Sequence, residues 1–411
     1  MNRDGHRDGQ HGGLRLGFIS GRMCSRGTGA DAGKLYCHPG LGRLVDALRG
    51  RVGQLTVAMS LAPERPTVHD HQVDMAEADF VALPHLPSTI AGLRQDLPCR
   101  RVFAEVERRS DAVIVQLPFS PPSALAPAHR PRVYHVCADV PSVVRASPYY
   151  QGLRRLVAVG AADAIHLWTR ALVHRQRCRV VTNGGALMER LGRPAGSVGV
   201  SSSLLAAEVG SVARARPAGA PFRVLFVGYL RPEKGLDVLM AAYARLCDDL
   251  PGSELVIVGQ QDLDEGGAAR EFAAAVAALG ARGRVTLRGH LPFGPALFRE
   301  FADADVLAVP SRSEGTPRVL VEARAFGCPV VGTRVGGIPT SVRDGEDGLL
   351  VPPDDAGALH AALLRIAREP ALTARLVEHG YAAARRATVD AFALQLLAEV
   401  DTLLGHAREA S

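Results

Sequence analysis

Two glutamates eight residues apart, Glu314 and Glu322, lie in the segment Val309–Val331, VPSRSEGTPRVLVEARAFGCPVV. A short apolar run ends at Pro310 and a polar loop follows. The pattern predicts a helix opening near Thr316–Pro317, where the missing proline N–H is harmless. The free N–H groups of such a first turn, with the helix dipole, attract an anion. Two carboxylates would be unhelpful to a phosphate there, but they suit hydroxyl groups. Glu314 would meet one sugar at the mouth. Glu322 would meet a ribose about 12 Å further on, at ~1.5 Å per residue of helix. Alone, the spacing better suits one glutamate at the dipole and a second, solvated one.

A second segment strengthens the first. Gly228–Gly235 (GYLRPEKG) joins an apolar run to a helical pattern. Arg231 as a fork and Lys234 as a point charge suit a diphosphate; the same two cations would also suit a solvated turn. Only two of the 48 basic residues are lysines, Lys34 and Lys234, and both lie in glycine-bearing segments. Lys34 follows Ser25–Gly33 (SRGTGADAG), where Gly29 and Gly33 allow a ligand close to the backbone. Val335–Thr340 and Asp344–Pro352 supply further turns.

These segments need a scaffold, and the apolar pattern supplies one. Strands are predicted at 14–20, 54–59, 112–117, 132–138, 179–182 and 197–200, with helices at 41–48 and 186–191. The pattern restarts with strands at 223–227, 254–258, 284–287, 306–309, 329–332 and 348–351. Helices are expected at 236–247, 268–279, 354–368, 370–385 and 389–406. Strands separated by helices argue for parallel βαβ units. The fold class is therefore α/β, with two doubly wound units facing each other across a cleft. Ligands would sit at the carboxyl ends of the strands, at the topological switch. Residues 1–13 are polar and read as a disordered tail. Residues 14–210 form the first unit, 211–221 (SVARARPAGAP) a linker, 222–385 the second unit, and 386–411 a terminal helix that could pack back across the boundary.

Composition narrows the classes. The chain has 411 residues, 47% of them hydrophobic and 22% charged, which suits two folded domains. No apolar run approaches the ~18 residues of a membrane span, and the start lacks a secretory pattern. A net charge of +6 with 5% aromatics gives no stacking platform for nucleic acid. Seven scattered cysteines without C-x-x-C spacing suggest reduced thiols and a cytoplasmic setting. Asp303-x-Asp305, His85 and His166 read as structural, and no metal or other cofactor is required.

The text FVGYLRPEKG, ELVIVG, RVTLRGHLP and ADVLAVPSRSEGTPRVLVEARAFGCPVVGTRVGGIPTSVRDGEDGLLVPPDD resembles the nucleotide-sugar-binding domain of glycosyltransferase family 4, the retaining enzymes of GT-B fold. The loop at 25–33 is similar to that of the mycothiol-pathway members that place N-acetylglucosamine on an inositol phosphate. The resemblance implies two facing Rossmann-like domains and a UDP-sugar substrate. It implies that Glu322 holds the donor ribose and Glu314 the transferred sugar, with Gly315, Thr316 and Pro317 offering backbone to sugar or phosphate. Lys234 would bind the diphosphate, and the base would lie near Arg288–Leu291, at His290 and Leu291. Where the family has an arginine after the strand-ending glycine, this chain has Tyr229, so Arg231 would have to reach in. A family glycine is replaced by Lys34. The family histidine that contacts the sugar falls near VYHVCADVP, which makes His135 and Asp139 candidates.

The resemblance further implies front-face substitution, in which the acceptor attacks from the side of the departing diphosphate. It points to N-acetylglucosamine, then glucose, as the transferred sugar. The acceptor would be a cyclitol or aminocyclitol, such as 2-deoxystreptamine in aminoglycoside antibiotic biosynthesis. Asp31, Glu105 and Asp139 are acids available for a cationic acceptor. A polysaccharide or glycolipid transferase is the alternative, with Arg100–Arg101, Arg108–Arg109 and Arg154–Arg155 meeting anionic lipid but no stable membrane insertion. A sugar-nucleotide epimerase or a non-catalytic binding protein would be alternatives of another class. The sequence does not indicate an oligomeric state.

Overall fold

The computed structural model describes residues 11–409 except 67–68, 86–94, 119–127, 147–150, 175–177, 201, 218, 260–273, 275 and 278–282. Most of the expected tail and most of the helix expected at 268–279 lie outside the described residues. The chain divides into two compact units. The first comprises residues 1–140, 160–203 and 389–411; the second comprises 141–159 and 204–388.

The first unit is built on strands β1 (Arg15–Arg26), β2 (Leu35–Cys37), β3 (Gln54–Leu61), β4 (His71–Val73), β5 (Phe80–Leu83), β6 (Ala112–Leu117), β7 (Arg132–Val136), β8 (Cys178–Asn183) and β9 (Gly196–Gly199). Seven run parallel in the order β5-β3-β1-β6-β7-β8-β9. Past a register shift between Ser20 and Met23, β1 continues and pairs antiparallel with β2, which pairs with β4. β6 is buried at every position, as strands covered on both faces require.

The second unit has six parallel strands: β10 (Arg223–Val227), β11 (Glu254–Val258), β12 (Arg284–Gly289), β13 (Val306–Val309), β14 (Val330–Thr333) and β15 (Leu349–Val351). Their order is β12-β11-β10-β13-β14-β15. The strand order reverses between β10 and β13, and the loops after those two strands are the two segments singled out above. Helices Leu236–Asp249 and Ala356–Arg368 share one apolar core with this sheet. Asp355 caps the second of them, its side chain accepting from the Ala358 N–H at 2.8 Å.

The structure adds detail to several expectations. Arg214, Ala215 and Arg216, in the segment read as a linker, are tied to Asp303 and Asp305 of the second unit. Arg216 meets Asp305 at 2.5 Å, Arg214 pairs with the same carboxylate, and the Ala215 N–H donates to Asp303. Asp303 and Asp305 are thus occupied in joining this segment. The terminal helix Val389–Glu409 lies within the first unit, against β6–β9 and the helix Pro39–Arg49. Helices Asp96–Arg109 and Pro295–Asp303 also form. A further helix, Gly152–Val173, is long and apolar enough to cross a membrane by length and composition alone. Arg154, Arg155, Asp163 and Arg170 interrupt it, so no uninterrupted apolar run revealed it.

Candidate active site

Two loops meet where the order of the second sheet reverses. After β10, Gly228 leads through Tyr229 to one 3-10 turn, Pro232–Lys234. After β13, Pro310 leads through residues 311–318 to the helix Val319–Ala325. Gly235 has φ +66°, and a Cβ there would lie 2.1 Å from the Pro310 carbonyl oxygen. Only glycine allows both that backbone and that approach. Gly336, at φ +51°, passes the Glu314 carbonyl so closely that a Cβ would fall 1.8 Å from it.

The charged centre follows from this contact. Lys234 Nζ donates to Glu314 Oε1 at 2.6 Å, and the Ser311 hydroxyl donates to the same oxygen at 2.8 Å. The Glu314 side chain is only 9% exposed and that of Lys234 23%. A carboxylate so enclosed needs both donors. Arg312 points away from this centre. Its guanidinium holds Asp237 at 2.9 and 2.6 Å, Asp354 at 2.5 Å and the Pro232 carbonyl at 2.7 Å. Its bond to Asp237 keeps that carboxylate below the ordinary range.

Tyr229 and Arg231 lie together, with the Arg231 guanidinium 4.8 Å from the centre of the Tyr229 ring, a cation–π arrangement. Tyr229 is 42% exposed. Gly315 accepts from the Gly337 N–H at 2.6 Å. The Thr316 hydroxyl is buried and has no hydrogen-bond partner among the described residues. The helix expected at Thr316–Pro317 begins instead at Val319. Only Val319–Glu322 of the interval between the glutamates is helical, so the 12 Å estimate does not apply. Glu322 is buried. Its neighbour Arg324 pairs with buried Asp347 at 2.9 Å and donates to the Leu320 carbonyl and the Ser341 hydroxyl. That anchors the short helix to the loop after β14. His290 is exposed and Leu291 half-buried, just past β12.

The candidates of the first unit behave differently. Gly29 and Gly33 have φ +60° and +87°, and nothing lies near either Cβ position. Lys34 is held by Asp31 at 2.7 Å. Their hydrogen bond lowers the carboxyl pKa and raises that of the ammonium. His135 lies within the sheet, 1% exposed. Its Nε2 bonds Asn183 at 3.1 Å, its Nδ1 faces Gln116 at 3.4 Å, and its ring packs 4.9 Å from Phe392. Burial groups His135 with the core and not with a ligand surface. Asp139 pairs with Arg190. Glu105 pairs with Arg108 and Arg109, so all three acids named for a cationic acceptor already have cations.

Sequence reasoning passed over Ser311, Arg312 and Thr333. Ser311 and Arg312 stood in the quoted segment beside Glu314, but nothing local showed their partners.

Residues 221–369 match the family model described as glycosyl transferases group 1. The D-inositol 3-phosphate glycosyltransferase of Acidothermus cellulolyticus is 39% identical over 167 residues, 40% of this chain and 37% of that protein. That of Geodermatophilus obscurus is 35% identical over 196 residues, 46% and 42% of the two chains. The matches thus span about two fifths of the length of these curated relatives. Among solved structures, sucrose-phosphate synthase from Thermosynechococcus elongatus has a TM-score of 0.69 at 22% identity, over 97% of this chain and 100% of that one. Anabaena HepE in complex with UDP has a TM-score of 0.66 at 20% identity, over 95% and 100%. These likenesses show the fold, two Rossmann-like parallel-sheet domains of the GT-B class.

Proposed function

We propose that this chain, whose residues 221–369 form a glycosyl transferases group 1 domain, is a retaining glycosyltransferase that moves a sugar from a UDP-sugar to a hydroxyl of a cyclitol. The observation that carries this reading is the meeting of Lys234, Ser311 and Glu314 at the strand-order reversal, with Glu322 on the next helix. Glu314 would receive hydroxyl groups of the transferred sugar and Glu322 those of the ribose. Lys234 and Arg231 would draw the charge of the leaving diphosphate. The sugar–phosphate bond loosens, the acceptor oxygen bonds to the anomeric carbon from the same side, and the departing phosphate oxygen takes the acceptor proton. Catalysis is then orientation plus charge stabilisation, and no metal or other cofactor is proposed.

N-acetylglucosamine is the proposed sugar, with glucose next. The printed name of the inositol-phosphate relatives supports a cyclitol acceptor, and fold neighbours bind UDP and UDP-glucose. An aminocyclitol such as 2-deoxystreptamine, and with it antibiotic biosynthesis, remains within the reading. The pairing of Asp31, Glu105 and Asp139 with cations weighs toward a neutral or phosphorylated ring.

The test pairs UDP-N-acetylglucosamine and UDP-glucose with myo-inositol, inositol phosphate and 2-deoxystreptamine, read by mass spectrometry with Glu322→Ala as control. A mass gain on one acceptor, lost in the variant, is expected. Absence of both transfer and donor hydrolysis would refute the enzyme reading.

One observation favours a second reading, a glycolipid or polysaccharide transferase. On the helix Gly152–Val173, Leu153, Leu156, Val157, Leu167 and Trp168 are all exposed, and their spacing puts them on one face. Arg154 and Arg170 flank that face, as suits anionic lipid. Co-sedimentation with anionic vesicles, lost in Leu156→Glu, would favour this reading.

A further inference from the structure

Lys234 and Glu314 are each other's counterion, yet a donor diphosphate would compete with Glu314 for the lysine. If the lysine turns toward phosphate, Glu314 must keep its orientation by other means. Ser311 supplies them. It is 1% exposed and its hydroxyl donates to Glu314 Oε1 at 2.8 Å. Its own backbone is fixed, because its carbonyl accepts from the buried Thr333 hydroxyl at 2.6 Å. Thr333 ends β14, so the geometry of Ser311 is set by the neighbouring strand and not by the loop it belongs to.

The next residue fixes the lysine from the other side. The Arg312 N–H donates to the Glu233 carbonyl at 2.8 Å and its guanidinium to the Pro232 carbonyl at 2.7 Å. The 3-10 turn that carries Lys234 is therefore tied to the residue adjoining Ser311. Of two consecutive side chains, one bonds Glu314 and the other the lysine turn. Among the described residues, Glu314 Oε2 accepts no hydrogen bond. The arrangement spends both donors on one oxygen and leaves the other for a substrate hydroxyl.

We propose that Ser311 is a positioning residue: it holds Glu314 Oε1, so that Oε2 stays directed to the transferred sugar while Lys234 passes to the diphosphate. This rests on the transferase reading above for the identity of the ligands, and on the hydrogen bonds alone for the orientation of Glu314. Arg312 fixes the distance from which the lysine makes that exchange.

The experiment has two arms. Crystal structures of the wild type, Ser311→Ala and Ser311→Thr, each with and without UDP, report the Glu314 side chain directly. In the wild type and Ser311→Thr, Glu314 should keep one conformer in both states. In Ser311→Ala it should shift or split once UDP draws Lys234 away. The kinetic arm measures UDP-sugar hydrolysis and transfer. Ser311→Ala should lose between about 10- and 100-fold in kcat, the scale of a misplaced catalytic group, with donor KM within twofold. Ser311→Thr should restore most of the loss. An unmoved Glu314 in UDP-bound Ser311→Ala overturns the proposal, and so does an unchanged kcat in an active enzyme. A wild type that neither binds UDP nor turns over any donor refutes the transferase reading and this proposal's exchange step together. Binding of UDP without turnover leaves the crystallographic arm to decide the positioning by itself.

Discussion

Lys234 and Glu314 are in contact at 2.6 Å, and their separate contributions can be resolved by stability as well as by rate. Removing the lysine leaves an enclosed carboxylate with Ser311 as its remaining donor. Lys234→Ala should therefore destabilise the protein by about 1–3 kcal/mol, the scale for an unsatisfied polar group. Adding Glu314→Gln should recover part of that, because a neutral amide needs no counterion. Thermal unfolding of the two single variants and the double variant measures the coupling. On the proposed reaction, Lys234→Ala should also lower kcat by about 10²–10³-fold, as loss of one charge-stabilising donor does. Recovery of stability without recovery of kcat would separate the two roles. Melting temperatures that simply add would show that the pair is not coupled. Arg231 shows a residue-scale limit of sequence reading. Its position relative to Tyr229 depended on the backbone between them, and the two side chains are now seen together, guanidinium over ring.

At the scale of elements, legibility followed burial. β6, β10, β11 and β13 have the bounds expected from their largely apolar text, because interior parallel strands are covered on both faces. The helix Asp96–Arg109 was obscured by its charges, since it buries only Cys99, Phe103, Val106 and Glu107. The short helix Val319–Ala325 was legible as the carrier of Glu322, while its anchoring was not. Arg324 and Asp347 are 23 residues apart, and their meeting depends on the fold. Burial lowers the Arg324 pKa, with Asp347 opposing that shift. Arg324→Ala would leave Asp347 buried without its cation, so a loss of about 3–5 kcal/mol is expected in denaturant melts. A loss below 1 kcal/mol would mean that water replaces the guanidinium. A second element carries a pH signature. His69 is buried beside β1, its Nδ1 2.7 Å from the Ser25 hydroxyl. Burial, with Arg65 adding to it, lowers its pKa. The unfolded imidazole then binds its proton more readily than the folded one, so the stability it contributes is present above about pH 6.5 and declines as pH falls through the lower folded value. Wild-type melting temperature should fall from pH 7 to 5 more steeply than that of His69→Gln. Parallel slopes would reject this source.

At the scale of the whole molecule, the chain does not divide at one point. Its last helix, Val389–Glu409, belongs to the unit formed by the first strands. Val389, Phe392, Leu396, Leu397, Val400 and Leu403 are all buried. Phe392 covers the His135 ring, Glu399 pairs with Arg179, and Asp390 with Arg51 at 2.7 Å. Each large apolar side chain is worth roughly 1.5–3 kcal/mol of burial, so together they rival the about 5–15 kcal/mol that holds a typical domain folded. The candidate site draws on residues 229–337, all within the other unit. Deleting residues 389–411 should therefore unfold the first unit and spare the second. Limited proteolysis should cut the truncated chain within residues 14–200 while leaving 204–388 protected. Calorimetric titration should still detect UDP, at an affinity within about tenfold, because the hydrogen bonds among Lys234, Ser311 and Glu314 owe nothing to that helix. Transfer to any acceptor should vanish. Loss of UDP binding on truncation would mean that the second unit depends on the first for its fold, and a truncated chain that resists proteolysis throughout would mean that the terminal helix is a covering and not a part of the core.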